Sequence, residues 1–417
     1  MGPIALFDKS FLQMLSVDEA MWFDHFFIAN ICPLFYVETL ADLEKVPKSG
    51  RSPEDEVRVI ADKTPYMGGG PCVYHGTLCL AELQGYKVPM TGQIPVAGGR
   101  PVSSGGKRGV VIDNPPEAQA FARWQEGRFL DLEREHARAW RSALANLDLP
   151  GVAEKFRALG ISGKSCKTLA EAKSIAADIV HSKASPFDQI ALVFNFLAIP
   201  RQHHREIVER WSTFGYAPLS QYAPYVSHVM EIEIFFQIAL AANLISSDRA
   251  SNRADIAYLF YLPFCSVFAS GDKLHRKCAP LFMRPNQDFV WMDDLKSDLQ
   301  NANLHFSAFP EHVKAKGILA FAHHPPGDSN SLMVQLWDRH LPKWRQIMSN
   351  ANVFEPVLAP RLADEIKRMG QSRPLTPQEV DFDPRDADEL VIQRLASKRR
   401  GNWWQLPADL QKPDADD

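Results

Sequence analysis

A chain of 417 residues exceeds one ordinary domain of roughly 100–200 residues, so two domains, or one domain with large insertions, are expected. Hydrophobic residues make up 46% and charged ones 23%, the balance of a globular protein, which excludes long disorder. A formal net charge of −4 excludes a globally basic nucleic-acid coat protein and leaves room only for a local basic rim.

The start, MGPIALF followed by Asp8 and Lys9, lacks the charged region and the apolar length of a signal peptide. The stretches IEIFFQIALAANLI and IAYLFYLPFCSVFA fall short of the roughly 20 residues a bilayer needs. A cytoplasmic protein without membrane spans is therefore expected. The cysteines at 32, 72, 79, 166, 265 and 278 form no CxxC pair and read as reduced thiols, with no disulfide and no zinc site.

Ile4 to Phe7 is a short apolar run ending in Asp8, and Ser10 to Leu15 continues with helical spacing, which predicts strand, turn and helix. Asp8 then reads either as a helix N-cap or as a carboxylate at a strand's carboxyl end. Phe26 to Cys32 predicts a second strand stopped by Pro33, and Phe35 to Leu43 a helix carrying Glu38 and Asp42 at i, i+4. Like charges at that spacing repel by a few tenths of a kcal/mol unless a cation lies between them, although a solvated helix face is the plainer reading.

From about Lys48 to Asn114 the chain is rich in Gly and Pro, which predicts loops, a short helix or two and a hairpin. VSSGGKRG has neither the glycine spacing nor the Ser or Thr of a phosphate loop, although Arg100, Lys107 and Arg108 remain candidates for backbone contacts. Cys72, His75 and Cys79 amount to half a metal site with no second half nearby. One long amphipathic helix is predicted over Glu117–Leu147, then further helices over 152–159, 169–181, 187–198 and 203–214.

An apolar helix follows over 218–245, with a polar turn after it. Asn252 can cap the next helix, with Asp255 as the third residue of a capping pair. Cys265 to Ala269 predicts a strand, and Ser270, Gly271 and Asp272 a turn into a helix from Lys273. A strand over Asp288–Met292, a helix over 293–304 and a helical extension with an acidic tail complete the chain. The basic triplet Lys398–Arg400 beside Trp403 and Trp404 either stacks on bases or docks the tail onto the body.

Taken as a set, LFDKSFL, YVETLADL, RADIAYLFYLPFCSVF and ASGDKLH resemble the PIN-like nuclease family. Its members open with a strand ending in Asp, carry a Glu on an early helix, and close with a helix-start Asp, a strand and a Thr/Ser-x-Asp-Lys/Arg turn. The resemblance covers about residues 1–45 and 225–310. It implies an α/β fold, a Rossmann-like PIN-type parallel sheet flanked by helices. The core would be split between 1–47 and 218–310, with a loop-rich, then helical insertion over 48–217 and a helical extension over 311–417.

The same resemblance implies that Asp8, Glu38, Asp255 and Asp272, with Asp42 as a fifth candidate, hold Mg²⁺ or Mn²⁺. Converging carboxylates need divalent cations to neutralise them, and oxygen-only ligands select such hard ions. Lys273, Arg276, Lys277 and Arg253, with His275, are expected to contact substrate phosphates. The implied activity is metal-dependent phosphodiester hydrolysis, with RNA ahead of DNA and a toxin or defence role of the kind such families have in bacteria. The alternative is a PIN-like scaffold that binds nucleic acid or a protein partner without cutting. A homo-oligomer remains open.

Overall fold

The computed structural model describes residues 2–46, 50–96, 99–113, 116–181, 186–328, 330–350, 358–376, 378–382, 387–394 and 396–410. The expected acidic tail, 411–417, lies outside them.

At the centre is a five-stranded sheet, every adjacent pair of which is parallel, flanked by helices in a Rossmann-like arrangement. Its strands are β1 (Ile4–Phe7), β2 (Ile28–Ile31), β3 (Gly69–Pro71), and, after a hairpin of β4 (Gly99–Ser104) and β5 (Lys107–Ile112), β6 (Val267–Ser270) and β7 (Asp288–Trp291). Their order is β3-β2-β1-β6-β7. IALF, IANI and VFAS are almost wholly buried, the pattern of strands covered on both faces. The chain runs outward from β1 to β3, then returns to build β6 and β7 on β1's other side. The direction of winding therefore reverses between β1 and β6, and it is outside the carboxyl ends of such a strand pair that open α/β sheets bind ligands.

Edge strand β3 comes from the Gly- and Pro-rich stretch assigned above to the insertion, so the sheet draws on residues beyond 47. Three residues with two glycines carry no strand periodicity, and only pairing with β2 reveals them. The helix expected over Glu117–Leu147 is two helices, Pro116–Gln125 and Asp131–Ala145. They are parted at Gly127, whose φ of +69° ends a helix at no steric cost. Residues 100–112 form the expected hairpin, turning on Gly105 and Gly106.

The helix Pro224–Ala241 is apolar on nearly all sides and is buried among the helices His75–Leu83, Leu149–Ala158 and Leu169–His181. No described helix is long and apolar enough to cross a membrane.

The C-terminal extension is not purely helical. β8 (Glu389–Ile392) pairs parallel with β5, and β9 (Arg399–Arg400) pairs with β10 (Trp403–Trp404). Trp403 is buried against Trp22 at 4.7 Å between ring centroids, and its indole N–H donates to Asn303 at 2.8 Å. Arg400, also buried, sits 3.1 Å from Asp24. Of the two readings of this segment, docking onto the body is the observed one for Trp403 and Arg400.

Candidate active site

Asp8 directly follows β1. Its extended backbone and its Oδ1, which accepts the Phe11 N–H at 2.9 Å, make it the N-cap of the helix Lys9–Met14. The two readings of Asp8 are thus compatible, because the cap occupies one oxygen at the sheet's carboxyl edge. The Ser10 hydroxyl lies 2.9 and 2.8 Å from the two carboxylate oxygens, and Ser270, the last residue of β6, donates to Oδ2 at 2.7 Å.

Asp272 repeats the arrangement after β6. It caps the helix Lys273–Phe282 through the Leu274 N–H at 2.6 Å. Between them Gly271 passes so close to Ser10 and Met292 that a Cβ there would stand 2.1 Å from the Met292 sulfur and 3.0 Å from the Ser10 hydroxyl. A side chain at the turn connecting β6 to Asp272 would therefore have to displace the end of Met292 and press on the Ser10 hydroxyl.

His275 ties these pieces together. It is fully buried, with Nδ1 2.8 Å from the Ser270 hydroxyl and 3.2 Å from Asp8 Oδ2, while Nε2 donates to the Asp255 carbonyl at 2.6 Å. A doubly protonated ring satisfies both the Asp255 carbonyl at Nε2 and the Asp8 carboxylate at Nδ1. Burial opposes that charge, but the hydrogen bond and charge of Asp8 prevail and lift His275 to about 9. Reciprocally, Asp8 is held below the usual carboxylate range, because His275, Ser270 and the Phe11 N–H outweigh the cost of its burial.

His275 was expected to contact phosphate, and its burial removes it from that role. The stripe His275, Cys278 and Ala279, at i, i+3 and i+4, is the sequence signal that it faces inward.

Asp255 lies on the helix Asn252–Ala257, which forms no side-chain cap. Asn252 instead donates to the Ser246 carbonyl at 2.9 Å, so the expected capping pair does not form. Asp255 Oδ2 is buried and has no hydrogen-bond partner. Burial, with the charges of Asp272 and Glu38, pushes its carboxyl up to about 7. The exposed Arg249 reaches toward both acids, with Nη2 3.8 Å from Asp255 and 3.6 Å from Asp272.

Glu38, on the helix Pro33–Leu40, accepts from the Tyr258 hydroxyl at 2.6 Å. Burial raises its pKa, with Lys9 and Tyr258 opposing. Lys9 bridges from the Glu38 carbonyl to Asp42, each at 2.9 Å. Asp42 also pairs with Lys45 at 2.6 Å, so its carboxylate belongs to a lysine cluster beside the site. Lys9 is the cation that makes the 38/42 spacing tolerable.

Of the expected phosphate contacts, Lys273, Arg276 and Lys277 are exposed on one helix, with Arg276 4.9 Å over the Trp291 ring. Arg253 is drawn away into an ion pair with the buried Glu233. Lys107 pairs with Glu365 and Glu389, and Arg100 with Asp113, which commits both to holding the hairpin.

The structure thus brings Asp8, Glu38, Asp255 and Asp272 to the β1–β6 carboxyl edge and leaves Asp42 beside it. Among the described residues no group of three or more His, Cys, Asp or Glu side chains stands ready to share one metal ion. That holds too for Cys72, His75 and Cys79, where the His75 ring meets the Tyr261 hydroxyl at 3.3 Å. All six cysteines are free and buried. No family model, curated protein or solved structure matches the chain.

Proposed function

We propose that the protein is a metal-dependent nuclease of the PIN-like kind, hydrolysing phosphodiester bonds at the carboxyl edge between β1 and β6. The observation that carries this reading is the meeting of Asp8, Ser270, Asp272, His275 and Asp255 in one hydrogen-bonded and ion-paired group at the sheet's switch point. The donor set suits a hard ion. Asp255 has a buried oxygen without a partner, and the acids at 255 and 272 share an exposed guanidinium that a divalent cation could displace.

Mg²⁺ commonly takes only one or two protein carboxylates and fills its shell with water and phosphate oxygens, so Asp255 and Asp272 would suffice as its protein ligands. Such an ion activates water and neutralises charge developing on the phosphate. His275 keeps Asp8 ionised and fixed, and Ser270 joins Asp8 to the Asp272 backbone N–H at 3.0 Å. The Tyr258 hydroxyl holds Glu38 at the border of the group. Lys273, Arg276 and Lys277 follow Asp272 on the exposed face and supply positive charge for a strand's phosphates.

The test is incubation with labelled single-stranded RNA and DNA in Mn²⁺, Mg²⁺ or EDTA. Cleavage is expected with either metal, RNA ahead of DNA, and a loss of at least the ~10–100-fold that follows disturbance of a metal's outer shell in Asp272→Asn and Asp255→Asn. Equal cleavage by both variants refutes the assignment.

One observation favours the second reading, a scaffold that binds without cutting. His275 and Arg249 already supply positive charge within the acidic group. Calorimetric titration separates the two, since a scaffold takes up no Mn²⁺ at millimolar concentration.

A further inference from the structure

Arg249 differs from the other cations of the site in how little holds it. His275 is buried between Asp8 and the Asp255 carbonyl, and Lys9 spans the Glu38 carbonyl and Asp42. Arg249 comes instead from the polar turn between the helices Pro224–Ala241 and Asn252–Ala257, and its side chain is 61% exposed. Its Nε donates to the Ser251 hydroxyl at 2.9 Å. Nη2 stands 3.6 Å from Asp272 and 3.8 Å from Asp255, beyond the roughly 2.7–2.9 Å of a charge-assisted hydrogen bond. The guanidinium therefore screens both acids without bonding to either, and an ion pair so exposed is weak.

Of its donors only Nε–H has an acceptor among the described residues, which leaves the Nη groups as a planar fork that matches two oxygens of a phosphate. Displacement from the acids costs little and keeps this fork at the site, because Ser251 holds the stem. Mg²⁺ held by one or two carboxylates takes phosphate oxygens as further ligands, which brings an anion within the fork's reach. Acids and phosphate are thus competing partners for one guanidinium.

We propose that Arg249 links ion binding to substrate binding. In the ion-free protein it screens Asp255 and Asp272; with an ion on those acids it turns to the non-bridging oxygens of the phosphodiester at the site. The proposal rests on the nuclease reading and adds that ion and substrate favour each other's binding, since the phosphate restores to Arg249 the partner that the ion removed. By linkage, the substrate tightens the ion by the same factor by which the ion tightens the substrate.

The test is calorimetric titration of the full chain with Mn²⁺, alone and with a phosphorothioate-linked single-stranded RNA octamer, whose linkages resist hydrolysis. In the intact protein the octamer should tighten Mn²⁺ at least about fivefold, the lower end of couplings between sites. Arg249→Gln should bind Mn²⁺ alone about two- to fivefold more tightly, the worth of an exposed ion pair that no longer competes, and its coupling to the octamer should shrink about threefold. Arg249→Lys, which keeps the charge without the fork, should bind Mn²⁺ alone as the intact protein does and lose part of the coupling. An arginine that merely fastened the turn would on removal leave Mn²⁺ affinity unchanged or lower it. That result, or equal coupling in the intact protein and Arg249→Gln, overturns the proposal. The nuclease reading fails separately, and this proposal with it, if the intact protein takes up no Mn²⁺; it stands, whatever Arg249→Gln does, if uptake is lost in Asp272→Asn.

Discussion

At the residue scale, His275 decides the electrostatics of the site. Its folded pKa, about 9, lies above the ordinary 6.5, so its contribution to stability is complete below pH 6.5 and is lost as pH rises toward 9. The shift corresponds to about 3 kcal/mol. Asp8 acts in the opposite sense: its lowered pKa stabilises the fold above the ordinary 3.8, and that contribution is lost as pH falls. Asp255, raised to about 7, costs stability between its ordinary 3.8 and 7 and adds no further change above that.

Urea unfolding between pH 7 and 8, compared between the intact protein and His275→Gln, reads the His275 contribution before the buried thiols, whose raised pKa values also lower stability toward pH 9, add much to the change. The midpoint should fall across this interval in the intact protein and much less in His275→Gln. The variant itself should be destabilised by about 3–5 kcal/mol at pH 6.5, because a buried carboxylate loses its partner. A variant as stable as the parent at pH 6.5 would mean that His275 is not charged.

At the scale of elements, the C-terminal β9–β10 pair acts as a strap. Trp403 packs on Trp22, which is itself stacked on Phe306 at 4.6 Å, so one aromatic cluster joins the helices Val17–Phe26 and Met292–Ser307 to the chain's end. Trp403→Ala should cost about 3–5 kcal/mol, read as a lower urea midpoint. Trp404, half-buried beneath Arg399 at 5.2 Å, should tolerate Ala with a smaller loss.

Most of the elements around the site were legible because each has a local cause. Four-residue apolar runs made β1 and β6, and Asp caps started the helices after them. The break at Gly127 and edge strand β3 were hidden, the first because helical periodicity continues across it, the second because it has no side-chain signal of its own.

At the scale of the whole molecule, an ion that binds only the folded state must stabilise it, by about 2.7 kcal/mol at a concentration one hundred times its dissociation constant. Mn²⁺ should therefore raise the melting temperature by a few degrees in the intact protein and leave Asp272→Asn unchanged. An equal rise in both would place the ion elsewhere. Strand order gives the expectation its location, since the sheet winds away from β1 in both directions and leaves the crevice where Asp8 and Asp272 emerge.

The sequence by itself determined the local structure on either side of the candidate site, because a strand end, a small-residue turn and a capping Asp are all short-range features, whereas Asp8, Glu38, Asp255 and Asp272 stood out only as a set, through the resemblance. It also brought His275 into view, though with the wrong orientation. Only the tertiary structure decided which of these groups meet. Pairing of β1 with β6 brings Asp8 against Ser270 across 262 residues of chain. Burial then turned His275 inward as the charge partner of Asp8, took Arg253 to Glu233, and left Asp42 to two lysines. Those outcomes depend on desolvation and on partners distant in the chain, and neither is written in the spacing of residues.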